Sequence, residues 1–248
     1  MDAKVEFLLR LGDNALVLGH RVSEWCGVAP VLEEDIALAN VSLDLIGQTQ
    51  LWLGLAAEIE DQGRSADDLA FLRDAWEFRN LLLVEQPNRD FAVTMMRQFL
   101  FDVWHKLYLQ ALTQADDDQI SAIADKSLKE VTYHLERSQD VVIALGDGTE
   151  VSQTRMQSAL DRLWPYVGEM FLTDTVDAAL PGIAPDNASL RDAFDKVLAQ
   201  VMTEATLTIP DSSFTHKGGR TGAQHSEHLG HMLATMQTLQ RCYPGASW

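Results

Sequence analysis

Asp102 and His105 stand three residues apart in a proline-free stretch, a spacing that sets both side chains on one face of a helix. Along that face the stripe reads Phe91, Met95, Gln98, Asp102, His105, Leu109 and Leu112, apolar at both ends and polar across the middle. A second stripe, Ile120, Ile123, Ser127, Glu130, His134, Arg137 and Val141, repeats the pattern. Two earlier helical stretches add Asp44, flanked by Asn40 and Gly47, and Asp13 with His20. Carboxylates gathered inside a bundle must be paired, hydrogen-bonded or metal-bound, because a lone buried charge is expensive.

The chemistry such a set suggests is a di-iron or di-manganese centre, built from one Glu on each of two helices and a Glu-x-x-His on each of the other two. The residues depart from that scheme. Three places after Asp44 stands Gly47, which ligates nothing, and three places after Glu130 stands Tyr133, with the histidine displaced to His134. Asp102-x-x-His105 has the right spacing but lies on the helix where the scheme asks for a carboxylate alone. Asp13, Asp44, Asp102, His105, Glu130, Tyr133 and His134 are therefore read as a degenerate metal site. In it the imidazoles, Tyr133 and Arg137 neutralise or hydrogen-bond the carboxylates, and no metal is ligated. The alternative is an irregular di-metal set of Asp13, Asp44, Asp102, Glu130 and His134, which makes the chain an autonomous oxidase or oxygenase.

A second group lies near the C-terminus, where GAQHSEHLGHM holds His225, Glu227, His228 and His231. Three imidazoles at three-residue spacing suit zinc, but one helix cannot wrap a tetrahedral ion without a ligand from elsewhere. The competing readings are a capped polar helix start and a surface that meets another protein. On the latter, Arg220, His225, Glu227 and His228 are candidate partner-facing residues. A Gly-rich phosphate loop, CxxC, HExxH and GxSxG are all absent.

These residues need long helices to position them, and the proline map leaves room. The seven prolines fall at 30, 87, 165, 181, 185, 210 and 244, so 31–86 and 88–164 contain none. Apolar periodicity predicts helices over 2–25, over about 33–63, over 90–115 and over 117–145, each ended by Gly, Pro or a polar turn. The second of these is about 45 Å long at 1.5 Å per residue. Short links make antiparallel neighbours, and residues 64–90, closing on EQPN, read as a long crossover between two hairpins. Residues 151–178, 187–206 and 223–242 predict further helices. The expectation is an all-α, ferritin-like four-helix bundle with a long crossover and additional C-terminal helices. It forms a single domain over 1–248, with its core over about 3–146 and extra helices over about 151–242.

The charge balance narrows the function further. Nineteen Lys and Arg face 37 Asp and Glu, a net charge of −18, whose field opposes phosphate backbones and anionic lipid. Nucleic acid and membrane are excluded as partners on that ground. Asp2, Glu6, Arg10 and Asp13 interrupt the first apolar run before a signal-peptide core can form. Cys26 and Cys242 read as reduced thiols, so the chain is expected in the cytoplasm.

Four stretches carry a resemblance: LRLGDNALVLGHRVSEWCGVAPVLEEDIALANVSLDLIGQ, NLLLVEQPNRDFAVTMMRQFLFDVWH, KEVTYHLERS and GGRTGAQHSEHLGHMLATMQTLQR. Together, and end to end, they resemble the family of C subunits of bacterial phenylacetyl-CoA ring epoxidases. The resemblance implies a ferritin-like, non-catalytic structural subunit that binds a catalytic A subunit, in which the di-iron centre lies. It also implies a reductase that passes electrons from NADPH through flavin and iron-sulfur groups, and epoxidation of the aromatic ring with dioxygen during aerobic phenylacetate breakdown. No cofactor is then expected in this chain, and the polar core serves to fix bundle register.

Overall fold

Eleven helices follow one another in the computed structural model, which describes residues 2–246. They are α1 (Ala3–Ser23), α2 (Leu32–Glu60), α3 (Ala66–Phe71), α4 (Leu82–Glu85), α5 (Phe91–Leu112), α6 (Asp118–Gly146), α7 (Glu150–Leu163), α8 (Thr175–Ala178), α9 (Arg191–Glu204), α10 (Glu227–Met236) and α11 (Thr238–Cys242). No strand occurs among the described residues. The fold is all-α, as the apolar periodicity requires.

The ends of the long helices follow local chemistry. Asp2, Asp90 and Asp117 each accept a hydrogen bond from an N–H of the first turn, supplying acceptors to groups that the helix itself leaves unpaired. The α2 helix stops at Asp61, which takes a left-handed conformation at φ 51°. Pro165 ends α7, and the chain runs on as a 3-10 helix over Trp164–Phe171, so the single helix expected over 151–178 is broken. The crossover likewise splits into α3, a 3-10 turn at Ala75–Glu77 and α4.

The chain divides into two compact units, 1–87 with 217–248, and 88–216. In the first unit α1 packs along α2, with α3 against α2 and α4 against α1. Gly12 permits the close approach, since a Cβ there would lie 2.5 Å from Leu53 Cδ2. Ser42 Oγ seals it by donating to the Gly19 carbonyl at 2.9 Å. Trp52, Phe7, Leu8, Leu18, Leu38 and Leu45 fill the unit's interior.

In the second unit α5 is the central element. It meets α6, α7 and α9, and every residue from Ala92 to His105 is buried. A helix covered on all sides carries no single apolar stripe, which is why its polar residues do not look amphipathic. The buried face of α6 runs Ile120, Ala124, Ser127, Val131, His134, Ser138 and Val142. This corrects the heptad stripe taken from the sequence, because a straight helix has 3.6 residues per turn and drifts about 20° per heptad. Glu130, Arg137 and Val141 fall to the half-buried flank, and Ser138 replaces Arg137 inside.

Candidate functional site

Each unit buries its own polar cluster, and the sequence-predicted residues divide between them. In the second unit Asp102 is fully buried at the middle of α5. Gln98, one turn earlier, donates from Nε2 to its Oδ1 at 2.7 Å, and Ser138 Oγ on α6 donates to Oδ2 at 2.8 Å. Burial pushes the Asp102 carboxyl up to about 6, against the charge of His134, the two hydrogen bonds and the charge of Arg137, all of which favour the ionised form. His105 is pulled down to about 3 by burial and by His134, and is a neutral ring at pH 7. Its Nδ1 has no hydrogen-bond partner, and its ring lies 4.9 Å from that of Phe101.

Asp102, His105 and His134 therefore share one interior. Glu130 is half-buried. Tyr133 is 53% exposed, a correction to its place in the expected network: it follows Glu130 by three residues but lies about 100° round the helix from buried His134. Ser138 was missed, and applying the 3.6-residue period to α6 in place of the heptad would have found it.

In the first unit Asp13 is fully buried on α1 and belongs to a different arrangement. Arg73, 3% exposed in the crossover, holds both its oxygens, with Nη1 donating to Oδ2 at 3.0 Å and Nη2 donating to Oδ1. The Arg79 backbone N–H donates to Oδ2 at 2.8 Å. Arg73 also donates to the Glu77 carbonyl at 2.9 Å and lies 4.4 Å over the Phe78 ring. This is a correction to Asp13 as a remnant metal ligand: its carboxylate anchors the crossover to α1. Asp44 on α2 is half-buried. Arg73 and Arg79 were the overlooked partners, and two arginines six residues apart in the crossover of an acidic chain were the available signal.

The glycine-rich stretch near the C-terminus closes on the same unit. Glu85, fully buried at the end of α4, accepts from Asn80 Nδ2 at 2.9 Å and from the Ser226 N–H and Oγ at 2.7 Å each. His225 Nδ1 lies 2.5 Å from the same carboxylate, with its Nε2 3.2 Å from the Phe78 carbonyl. Arg21 ties Glu85 to α10, donating to the Glu85 carbonyl at 3.0 Å and to the His228 carbonyl at 2.9 Å. Gly219 packs directly on the Asn80 carbonyl, where a Cβ would not fit. Arg220 is buried and the His225 side chain is 4% exposed, so these two are turned into their own unit, a correction to their expected place on a partner-facing surface. Glu227 is exposed and His228 half-buried.

These commitments decide whether a metal fits. Asp13 is held by a guanidinium and a backbone N–H, Gly47 has no ligating atom, Tyr133 faces outward, and both His225 nitrogens face oxygen acceptors. Among the described residues no group of three or more His, Cys, Asp or Glu is arranged to hold a metal ion. The residues present do not fit a di-metal centre.

The cysteines at 26 and 242 are free and exposed, and no described helix is long and apolar enough to cross a membrane. Comparison with known proteins gives the clusters their context. The chain is 47% identical over 250 residues to the C subunit of the 1,2-phenylacetyl-CoA epoxidase of Escherichia coli (strain K12), covering 100% of both chains. The family described as phenylacetic acid catabolic protein matches residues 1–248, from one end of the sequence to the other. With the two hairpins, the LVEQPN crossover and the glycine-rich closure all inside that match, the chain belongs to the phenylacetic acid catabolic protein family.

Proposed function

We propose that this chain is the structural, non-catalytic subunit of a multicomponent di-iron mono-oxygenase that converts phenylacetyl-CoA to its ring 1,2-epoxide in aerobic phenylacetate catabolism. It acts in the cytoplasm by binding the catalytic A subunit, which carries the iron. The reductase component supplies electrons from NADPH through flavin and iron-sulfur groups, and this chain holds no cofactor of its own. The fold is read as ferritin-like. Iron ligands in an oxygenase must be held within about half an ångström of productive geometry, and a rigid paralogous wall beside them serves that need.

The end-to-end correspondence to the C subunit of the Escherichia coli epoxidase supports the pathway and the reaction. The observation that carries the non-catalytic part is Asp13, whose carboxylate is already held by Arg73 and the Arg79 N–H. Elemental analysis of the purified chain, expressed in iron- and manganese-supplemented medium and desalted, is expected to find well under one metal per chain. About two irons per chain would overturn the reading and make the protein an oxygen-activating enzyme by itself.

A further inference from the structure

We infer that the outward face of α2 is the surface on which this chain receives its partner subunit, an apolar helix face bordered by Lys and Arg. The inference rests on the reading above, that the chain works in a complex. Its ground is the distribution of exposed apolar side chains. Leu32 is 70% exposed, Ile36 53% and Leu43 67%, and Val28 and Val31 in the preceding turn are exposed as well. Positions 32, 36 and 43 fall within about 40° of one another round a helix, so they form one stripe opposite buried Leu38, Leu45 and Trp52.

The same line of the helix continues through Gly47, exposed polar Gln50 and Gly54, and a Cβ at either glycine would meet nothing within 4 Å. Glycine inside a helix costs about 1 kcal/mol relative to alanine, and neither glycine is needed for a close approach within this chain. From Leu32 to Gly54 the stripe is about 33 Å long. A stable interface of about 800 Å² on each partner is roughly that wide, so this line can cross it, with the apolar side chains of Leu32, Ile36 and Leu43 at one end. Scattered exposed leucines are ordinary, but a row of them along one helix marks an interaction surface.

Charge selects the occupant. The helix α2 carries Glu33, Glu34, Asp35, Asp44, Glu58 and Glu60 and no Lys or Arg in 29 residues. Glu33, Asp44 and Glu58 follow one border of the apolar stripe, within about 40° of one another. Two copies of so acidic a face, on chains of net charge −18, repel when brought together. A partner whose apolar stripe is edged with basic side chains meets the same surface favourably.

The test co-expresses the tagged catalytic A subunit with this chain and measures capture. The variants are Ile36→Asp with Leu43→Asp, Gly47→Gln alone, and Val151→Asp as a control at an exposed apolar position on α7. The double variant is expected to be captured at least about tenfold less than the parent, since unpaired carboxylates in an apolar interface centre are costly. Gly47→Gln raises helix propensity, so a several-fold loss of capture by it is not a folding defect. Val151→Asp is expected to bind like the parent. Undiminished capture of both α2 variants overturns the surface. Failure of the parent chain itself to bind overturns the functional reading, and the surface with it. A parent that dimerises, with variants that turn monomeric while capture is unchanged, assigns the face to a second copy and overturns the choice of partner.

Discussion

Asp13→Ala is expected to destabilise the first unit by about 3–5 kcal/mol, because it leaves the Arg73 guanidinium buried without its carboxylate. Carbonyls of Leu69 and Glu77 and the face of Phe78 remain around Arg73, but none of them carries charge. The loss is not confined to one pair. The Arg79 N–H loses its acceptor, and the chain around it holds Glu6 through the Arg79 side chain and α1 through the Leu81 N–H to Asn14 Oδ1 at 2.8 Å. Amide exchange in residues 69–81 is therefore expected to quicken more than in α5 or α6. Replacing both partners, Asp13→Leu with Arg73→Met, is expected to recover most of the stability, since a buried pair exchanged for packed apolar groups is often neutral. Urea unfolding of Asp13→Leu, Arg73→Met and the double variant measures the coupling directly. Additive losses would show that the pair does not hold the crossover.

That same pair marks where sequence reasoning stopped. The long helices were legible to within a few residues, because Asp90 and Asp117 cap, the proline-free runs are long, and apolar periodicity is strong. Family membership was legible too, since it rests on extended stretches such as LVEQPN. The partner of Asp13 was not, because residues 13 and 73 are 60 positions apart and nothing local links a carboxylate to a distant guanidinium. The heptad applied to α6 selected Ile120, Ser127 and His134 correctly, but at every second step it fell one residue short, on Ile123, Glu130 and Arg137 where Ala124, Val131 and Ser138 are buried. The glycine-rich stretch looked like a surface because its composition is polar. Its polarity is spent inward, on Glu85, Asn80 and Phe78, and only the folded chain brings residues 85 and 225 together.

The two buried titratable groups of α5 are expected to give opposite pH dependences, separable by single substitutions. Asp102 has its carboxyl raised from 3.8 to about 6, so the folded state binds the proton more readily than the unfolded chain. Its contribution is greatest below pH 3.8 and is lost as pH rises to about 6. His105 is lowered from 6.5 to about 3, so the unfolded chain binds its proton first. Its contribution is present above pH 6.5 and is lost as pH falls toward 3. Between pH 4 and 6 the two slopes nearly cancel, each being at most about 1.4 kcal/mol per pH unit. Asp102→Asn removes the first and exposes the second, so relative to the parent its stability should rise with pH across that window. At pH 7 this variant should also be more stable by about 2 kcal/mol, because no charge is buried. Gln98 can still donate to the amide oxygen, and Ser138 Oγ, 3.3 Å from the Leu135 carbonyl, can turn to accept from the amide. His105→Phe keeps the ring packed on Phe101 and removes an unpartnered nitrogen, and relative to the parent its stability should fall with rising pH. His20, lowered by burial against the opposing charge of Glu24, adds acid sensitivity to every variant alike and drops out of the differences. Urea midpoints at half-unit steps from pH 4 to 7 measure both slopes. Loss of stability in Asp102→Asn at pH 7 would mean that His134 and Arg137 need the ionised carboxylate more than its burial costs, and the charge would then be what fixes α5 against α6.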